Sequence, residues 1–204
     1  MELALFGGKP VRKKPFPSWP QPTEKIKQEV IHCIDEEGWG IGSTVIDRLC
    51  ELFAAYHDSK YGIATNSGTT ALWVALKAAG VKAGDEVIVP AYTFIATASS
   101  VLMANGIPVF ADIDIKTANM DPGSIEEKIT NRTKVIMPVH IGGSPCDLDS
   151  INAIAKKHNI TLIEDAAQAH GAEWNGNKVG GIGSGGCFSF QTSKNMTAGE
   201  GGII

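Results

Sequence analysis

From Tyr61 onward the 204-residue chain alternates strand-like and helix-like segments, which predicts an α/β fold: a three-layer sandwich with a mostly parallel central sheet. Three observations carry this. Strand-like runs at 61–65, 86–90, 108–113, 134–139, 161–165 and 187–191 are interleaved with helical patterns at 69–79, 93–104, 124–130 and 149–158. Such alternation implies right-handed crossovers, and therefore parallel strands covered by helices on both faces. Val135-Ile136-Met137 is continuously apolar, as a strand buried on two sides must be. The composition, 43% hydrophobic and 20% charged, is that of a soluble globular protein, and the length suffices for one domain.

The elements follow in order. Residues 1–22 are proline-rich and read as an extended arm; its basic stretch, 9–14, has Pro10 within it and Pro15 after it and reads as solvated. Thr23 can cap a helix running to about Glu37, with Ile26, Val30 and Ile34 on one face and Gly38, Gly40 and Gly42 ending it. A second helix is expected from about Thr44, with Val45, Leu49, Leu52 and Phe53 at helical spacing. Asp121-Pro122 supplies a cap and a proline at a first helical position. The final Gly-Gly-Ile-Ile reads as a strand in progress, so the chain is expected to be the first part of a longer protein.

Several function classes are disfavoured. A net charge of −4 without clustered Lys and Arg gives no nucleic-acid footprint. No apolar run approaches the roughly 18 residues of a membrane span, and residues 1–8 lack the layout of a signal peptide. The four cysteines show no Cys-x-x-Cys spacing, so neither a zinc site nor a disulfide framework is expected. A reducing, cytoplasmic setting follows, in which the Asn-x-Thr matches at Asn131 and Asn195 are chance.

In open α/β sheets ligands bind outside the carboxyl ends of the strands, which directs attention to the residues after Thr65, Pro90, Val139, Asp165 and Gln191. Asn66-Ser67-Gly68-Thr69-Thr70 opens a helix, so Gly68 and Thr69 present backbone N–H groups at its positive end; this fits a phosphate site or a plain capped turn. The absence of Gly-Lys-Ser/Thr excludes a P-loop. Tyr92 and Phe94 stand at the next rim, either to stack on a planar ring or to pack. Asp165 ends an apolar strand, where a carboxylate is costly unless a cation meets it; a protonated pyridine nitrogen would serve, and so would a helix N-cap role. His170, close by, reads as a satisfied core histidine or as a site residue. Lys194, after a buried strand and among small residues and glycines, suits a Schiff-base role or a solvated surface position. Gly181-x-Gly183-x-x-Gly186 matches the dinucleotide fingerprint in letters only, because it leads into a strand instead of a helix.

NSGTTAL (66–72), EVIVPAYTFIATA (86–98), KVIMPVHIGG (134–143), EDAAQAHGA (164–172) and FSFQTSKNMTAGEGG (188–202), in this order and spacing, resemble the DegT/StrS family of pyridoxal-phosphate (PLP) aminotransferases, which make amino sugars and aminocyclitols. The resemblance implies an aspartate-aminotransferase type of fold, with 23–204 as the PLP-binding large domain and the small C-terminal domain outside this chain. It implies Lys194 as the Schiff-base lysine and Asp165 as partner of the pyridine nitrogen. Gln168 would lie on the phenolic-oxygen side of the ring and Phe94 on its face, with Gly68, Thr69 and Ser189 at the phosphate. It also implies a homodimer with shared sites, glutamate or glutamine as amino donor, and a keto sugar (often nucleotide-linked) or keto cyclitol as acceptor. Histidine at the lysine position would mark a dehydratase; here that position is Lys194. Two alternatives stand beside this reading: an aminohydroxybenzoate-synthase-like enzyme, and a truncated PLP-binding or regulatory protein without catalysis.

Overall fold

The computed structural model describes residues 2–36 and 42–204; Glu37, Gly38 and Gly40, where the first helix was expected to end, lie outside them. The helices are α1 (Glu24–Asp35), α2 (Thr44–Tyr56), α3 (Gly68–Ala78), α4 (Ala96–Met103), α5 (Pro122–Lys128) and α6 (Leu148–His158). The strands are β1 (Ala64–Thr65), β2 (Glu86–Pro90), β3 (Ile107–Ala111), β4 (Thr133–Ile136), β5 (Thr161–Asp165), β6 (Glu173–Trp174), β7 (Asn177–Lys178), β8 (Gly185–Ser189) and β9 (Gly202–Ile203). A seven-stranded sheet runs in the order β1-β9-β8-β5-β4-β2-β3, and β6 and β7 form a separate hairpin. Pairs β2·β3, β2·β4, β4·β5 and β5·β8 are parallel, whereas β9 runs antiparallel to both β1 and β8. The mostly parallel sheet is as expected.

The three layers follow from the two-residue period of a strand. Val87, Val89, Val135, Met137, Ile163 and Cys187 pack on one face with Leu72 and Leu76 of α3 and Val101 of α4. Ile88, Ile136, Leu162 and Phe188, one residue out of step, pack on the other with Phe53 of α2, Ile125 of α5 and Ile151 of α6. Continuous apolar runs in sequence thus divide between two cores, and both sides of the sheet are closed to water.

Local signals set the helix starts. Thr23 Oγ1 accepts from Ile26 N–H at 3.2 Å, as expected of a cap. Ser67, Asp121 and Asp147 do the same for α3, α5 and α6, with Pro122 in the first turn of α5. Asn159 ends α6 in the left-handed conformation.

Some boundaries differ from expectation, for tertiary reasons. β1 is only Ala64–Thr65, which pair with Ile203 and Gly202 of β9, while Ile63 and Ile204 exchange backbone hydrogen bonds beside them. β4 ends at Ile136; Pro138 has no N–H to give a ladder, and only an isolated bridge from Val139 to Asp165 follows. α4 begins at Ala96, since 93–95 bend around the sheet edge instead of joining the helix. The apolar stripe of α1 forms as spaced, yet Ile26, Val30 and Ile34 remain exposed in this chain. Among residues 2–22 the regular structure is one 3-10 turn, Ala4–Phe6.

Candidate active site

At the carboxyl ends of β2, β5 and β8, beside the start of α3, lies a cavity of about 390 Å³. Gly68, Thr69, Phe94, Asp165, Gln168, Ser189 and Lys194 all line it, so residues spread over more than 120 positions of sequence meet at one place. Tyr92 does not line the cavity, which separates the two rim aromatics. The ring of His170 packs against Phe53, Phe188 and Phe190, but the residue is half-buried and lines a neighbouring cavity with Gln168 and Lys194, so it is not the satisfied core histidine expected.

The α3 end of the cavity is an N–H surface. Ser67 occupies the donors of the next turn: its Oγ accepts from Thr70 N at 3.1 Å and its carbonyl from Ala71 N at 3.0 Å. Among the described residues the N–H groups of Gly68 and Thr69 have no acceptor and, with the helix dipole, favour an anion. Backbone approach is close here. A Cβ on Gly68 would sit 2.7 Å from Ser189 Cβ, and one on Gly202 would sit 2.5 Å from the Ser67 carbonyl carbon. Glycine is therefore what lets the N-terminus of α3 rest against β8 and β9.

At the opposite wall Asp165 is buried. Its Oδ2 accepts from Thr97 Oγ1 at 2.8 Å, and its Oδ1 from Ala167 N at 3.2 Å. The Thr97 hydroxyl is in turn 2.7 Å from that of Thr93, so Thr93 donates to Thr97 and Thr97 to Asp165. Burial raises the Asp165 pKa despite these bonds and despite the charge of Lys194, which acts the other way. Among the described residues Asp165 forms no ion pair. A carboxylate oriented by two donors and short of a cation, at the wall of a cavity, is a receptor for a positively charged group.

Gln168 is anchored through Oε1, which accepts from Gly142 N–H at 2.8 Å, leaving its amide nitrogen as a donor. Ser189 Oγ accepts from Gln191 N at 3.3 Å and keeps its proton for another acceptor. Lys194 sits on a loop fastened by its own N–H to the Gln191 carbonyl at 2.9 Å, and Gln191 Oε1 accepts from Ser193 N at 2.8 Å and Ser193 Oγ at 2.6 Å.

Sequence reasoning missed Thr97 and Glu164. Thr97 carried a signal, since Thr93 and Thr97 are one helical turn apart at the rim of β2. Glu164 did not: its meaning depends on partners distant in sequence. The rejected glycine motif is one of them. It leads into β8 as argued, and Gly180, Ile182 and Gly183 N–H groups bind the Glu164 carboxylate at 2.7, 2.9 and 2.6 Å.

Anion donors at one end, a carboxylate awaiting a cation at the other, an aromatic at the rim and an amine on a fastened loop fit PLP. Comparison with known proteins agrees. The model of the DegT/DnrJ/EryC1/StrS aminotransferase family matches residues 20–204. The L-glutamine:2-deoxy-scyllo-inosose aminotransferase of Streptomyces kanamyceticus is 45% identical over 206 residues, covering 98% of this chain and 48% of that protein. A solved aminotransferase from Psychrobacter cryohalolentis superposes with a TM-score of 0.90 at 46% identity, covering 93% of this chain and 48% of that one. A protein of Streptococcus pneumoniae described as a candidate sugar aminotransferase, solved in its PLP form, gives 0.85 at 33% identity, covering 90% of this chain and 50% of that one. The chain spans about half the length of the curated relatives it matches.

Proposed function

The chain belongs to the DegT/DnrJ/EryC1/StrS aminotransferase family, and we propose that it forms the PLP-holding part of an enzyme that moves an amino group from L-glutamine or glutamate to a keto cyclitol or keto sugar. The observation that carries this reading is the uncompensated buried Asp165 carboxylate in the same cavity as Lys194. When bound, PLP supplies an electrophilic carbon for the amino group and a protonated ring that spreads the charge of a deprotonated substrate carbon.

The roles of the residues follow from their chemistry. Gly68 and Thr69 N–H groups, with the Ser189 hydroxyl, hold the phosphate at the positive end of α3. Asp165 keeps a proton on the ring nitrogen, since the ion pair relieves the cost of its own burial. Thr97 and Ala167 fix its oxygens so that no reorientation is needed during reaction. Phe94 would cover a ring face, and the Gln168 amide would donate towards the ring oxygen. Lys194 would be the covalent attachment point, and its Nζ, once released, would serve as general base and then general acid.

The amino donor and the cyclitol acceptor are drawn from the relatives, of which L-glutamine:2-deoxy-scyllo-inosose aminotransferase is the example given. Phe94, 64% exposed at the cavity rim, and Ile95 beside it in sequence, 71% exposed, support a homodimer that covers the site. We place the enzyme in the cytoplasm; no described helix is long and apolar enough to cross a membrane.

The test is direct. Protein mixed with PLP and treated with borohydride should carry the cofactor on Lys194 in a peptide map. L-glutamine should then support amination in a panel of keto cyclitols, nucleotide-linked keto sugars and the aminohydroxybenzoate precursor. Label on another lysine would remove the assignment of Lys194. PLP attachment without amination of any acceptor would favour the non-catalytic PLP-binding protein.

A further inference from the structure

The arm that precedes α1 reaches the site from outside. Trp19 Nε1 donates to the Thr192 carbonyl at 3.0 Å, joining residues 173 positions apart. Thr192 belongs to the loop that carries Lys194. Between arm and loop opens a cleft of about 490 Å³, with Ser18, Trp19 and Gln21 on one side and Ser193, Lys194 and Asn195 on the other. Lys194 lines both this cleft and the cofactor-sized cavity, whereas Asp165 lines only the latter. Lys194 is therefore reached from a second side, and there stands an indole that is held at its N–H and still 53% exposed.

We propose that Trp19 is a specificity-determining residue, its indole forming the wall against which the ring of the keto acceptor lies beside Lys194. This rests on the aminotransferase reading above and names the acceptor side of that site. A six-membered polyhydroxylated ring has faces of C–H groups and an edge of hydroxyls. The C–H face packs on the electron-rich face of an aromatic ring, and the hydroxyl edge meets the polar groups of Ser18, Gln21, Ser193 and Asn195. An indole pinned by its N–H loses little entropy on taking up such a face. L-Glutamine, linear and without a ring, has no comparable use for the wall.

The experiment separates acceptor from donor in the cofactor-loaded protein. Binding of scyllo-inositol and of a nucleotide-linked hexose, neither of which can react, is measured by titration calorimetry; the half-reaction with L-glutamine is followed by absorbance. Trp19→Ala and Trp19→Leu should weaken whichever ring probe the wild type binds by about tenfold, which corresponds to the loss of one aromatic packing surface. Trp19→Phe, which keeps an aromatic plane and loses the N–H bond, should stay within about threefold on the same scale. The glutamine half-reaction should change by less than about threefold in all of them. Unchanged ring binding in Trp19→Ala overturns the wall. Equal losses for ring probe and glutamine also overturn it, because the arm would then only hold the Lys194 loop. A wild type that reacts with glutamine and binds neither ring probe overturns the wall alone. A wild type that binds neither probe and does not react with glutamine overturns the aminotransferase reading together with it.

Discussion

At the end of β5 two buried carboxylates stand side by side and face opposite sides of the sheet. Glu164 points into the layer beneath the 180–183 loop, where three backbone N–H groups and His140 surround it. His140 Nδ1 accepts from Cys146 N–H at 3.1 Å, so the ring proton is on Nε2 and is donated to Glu164 at 3.1 Å. Burial pushes the Glu164 pKa up most strongly of any single cause, yet these donors together leave it below the ordinary glutamate range. Asp165, with one hydroxyl and one backbone N–H, stays above the ordinary aspartate range. The difference lies in the number of donors. A carboxylate fully met by fixed donors ties β5 to its neighbours; one left short at a cavity wall is available to a ligand.

Three substitutions break or sharpen this contrast. Asp165→Asn should have the largest effect: the half-reaction of the PLP-loaded protein with L-glutamine slows by at least about 10²–10³-fold, roughly 3–4 kcal/mol of barrier. The fold itself should gain. Because folding raises the Asp165 pKa, the empty native state binds its proton more tightly than the unfolded chain, and stability falls as pH rises above the ordinary aspartate range. The neutral variant escapes that loss, so denaturant melts of the PLP-free proteins should show it as stable as wild type or more so near pH 7. A half-reaction within about threefold of wild type would leave Asp165 as no more than the acceptor of the Ala167 turn.

Glu164→Gln should reverse the pattern, costing stability first. One amide oxygen cannot replace two carboxylate oxygens among the donors present, and disrupting such a buried charged cluster costs about 3 kcal/mol. The Glu164 contribution is present above the ordinary glutamate range and lost as pH falls through its lowered folded value. Urea midpoints should therefore differ most near pH 7 and converge in acid. Equal midpoints at pH 7 would mean that the clasp around Glu164 contributes nothing.

Gly68→Ala should have the smallest effect of the three, by overpacking: the new methyl meets Ser189 Cβ at 2.7 Å. About 1–2 kcal/mol of stability should be lost, together with PLP affinity, as α3 is pushed off β8. Gly185→Ala, where a Cβ meets nothing within 4 Å, is the comparison and should be near neutral. Fluorescence titration with PLP reads the first effect, and equal PLP affinity in the two variants would remove Gly68 from the anion end.

What the sequence by itself determined was whatever is written in local periods and caps. β2 and β5 have the bounds of the strand-like runs 86–90 and 161–165, and Thr23 and Asp121-Pro122 start helices because caps act within three residues. The residues around the cavity were also legible, through the resemblance and the rule that parallel strands gather ligands at their carboxyl ends. Tertiary structure alone decided what β1 pairs with, because its partner β9 lies far along the chain and runs antiparallel to it. It decided that Gly180, Ile182 and Gly183 serve a carboxylate, since their N–H groups have no meaning until β5 lies beside them. It decided, too, which of two adjacent acidic residues is satisfied. Both end the same apolar strand and look alike in sequence, but the donors that distinguish them come from His140, from Thr97 on α4 and from residues 180–183, and only packing brings those together.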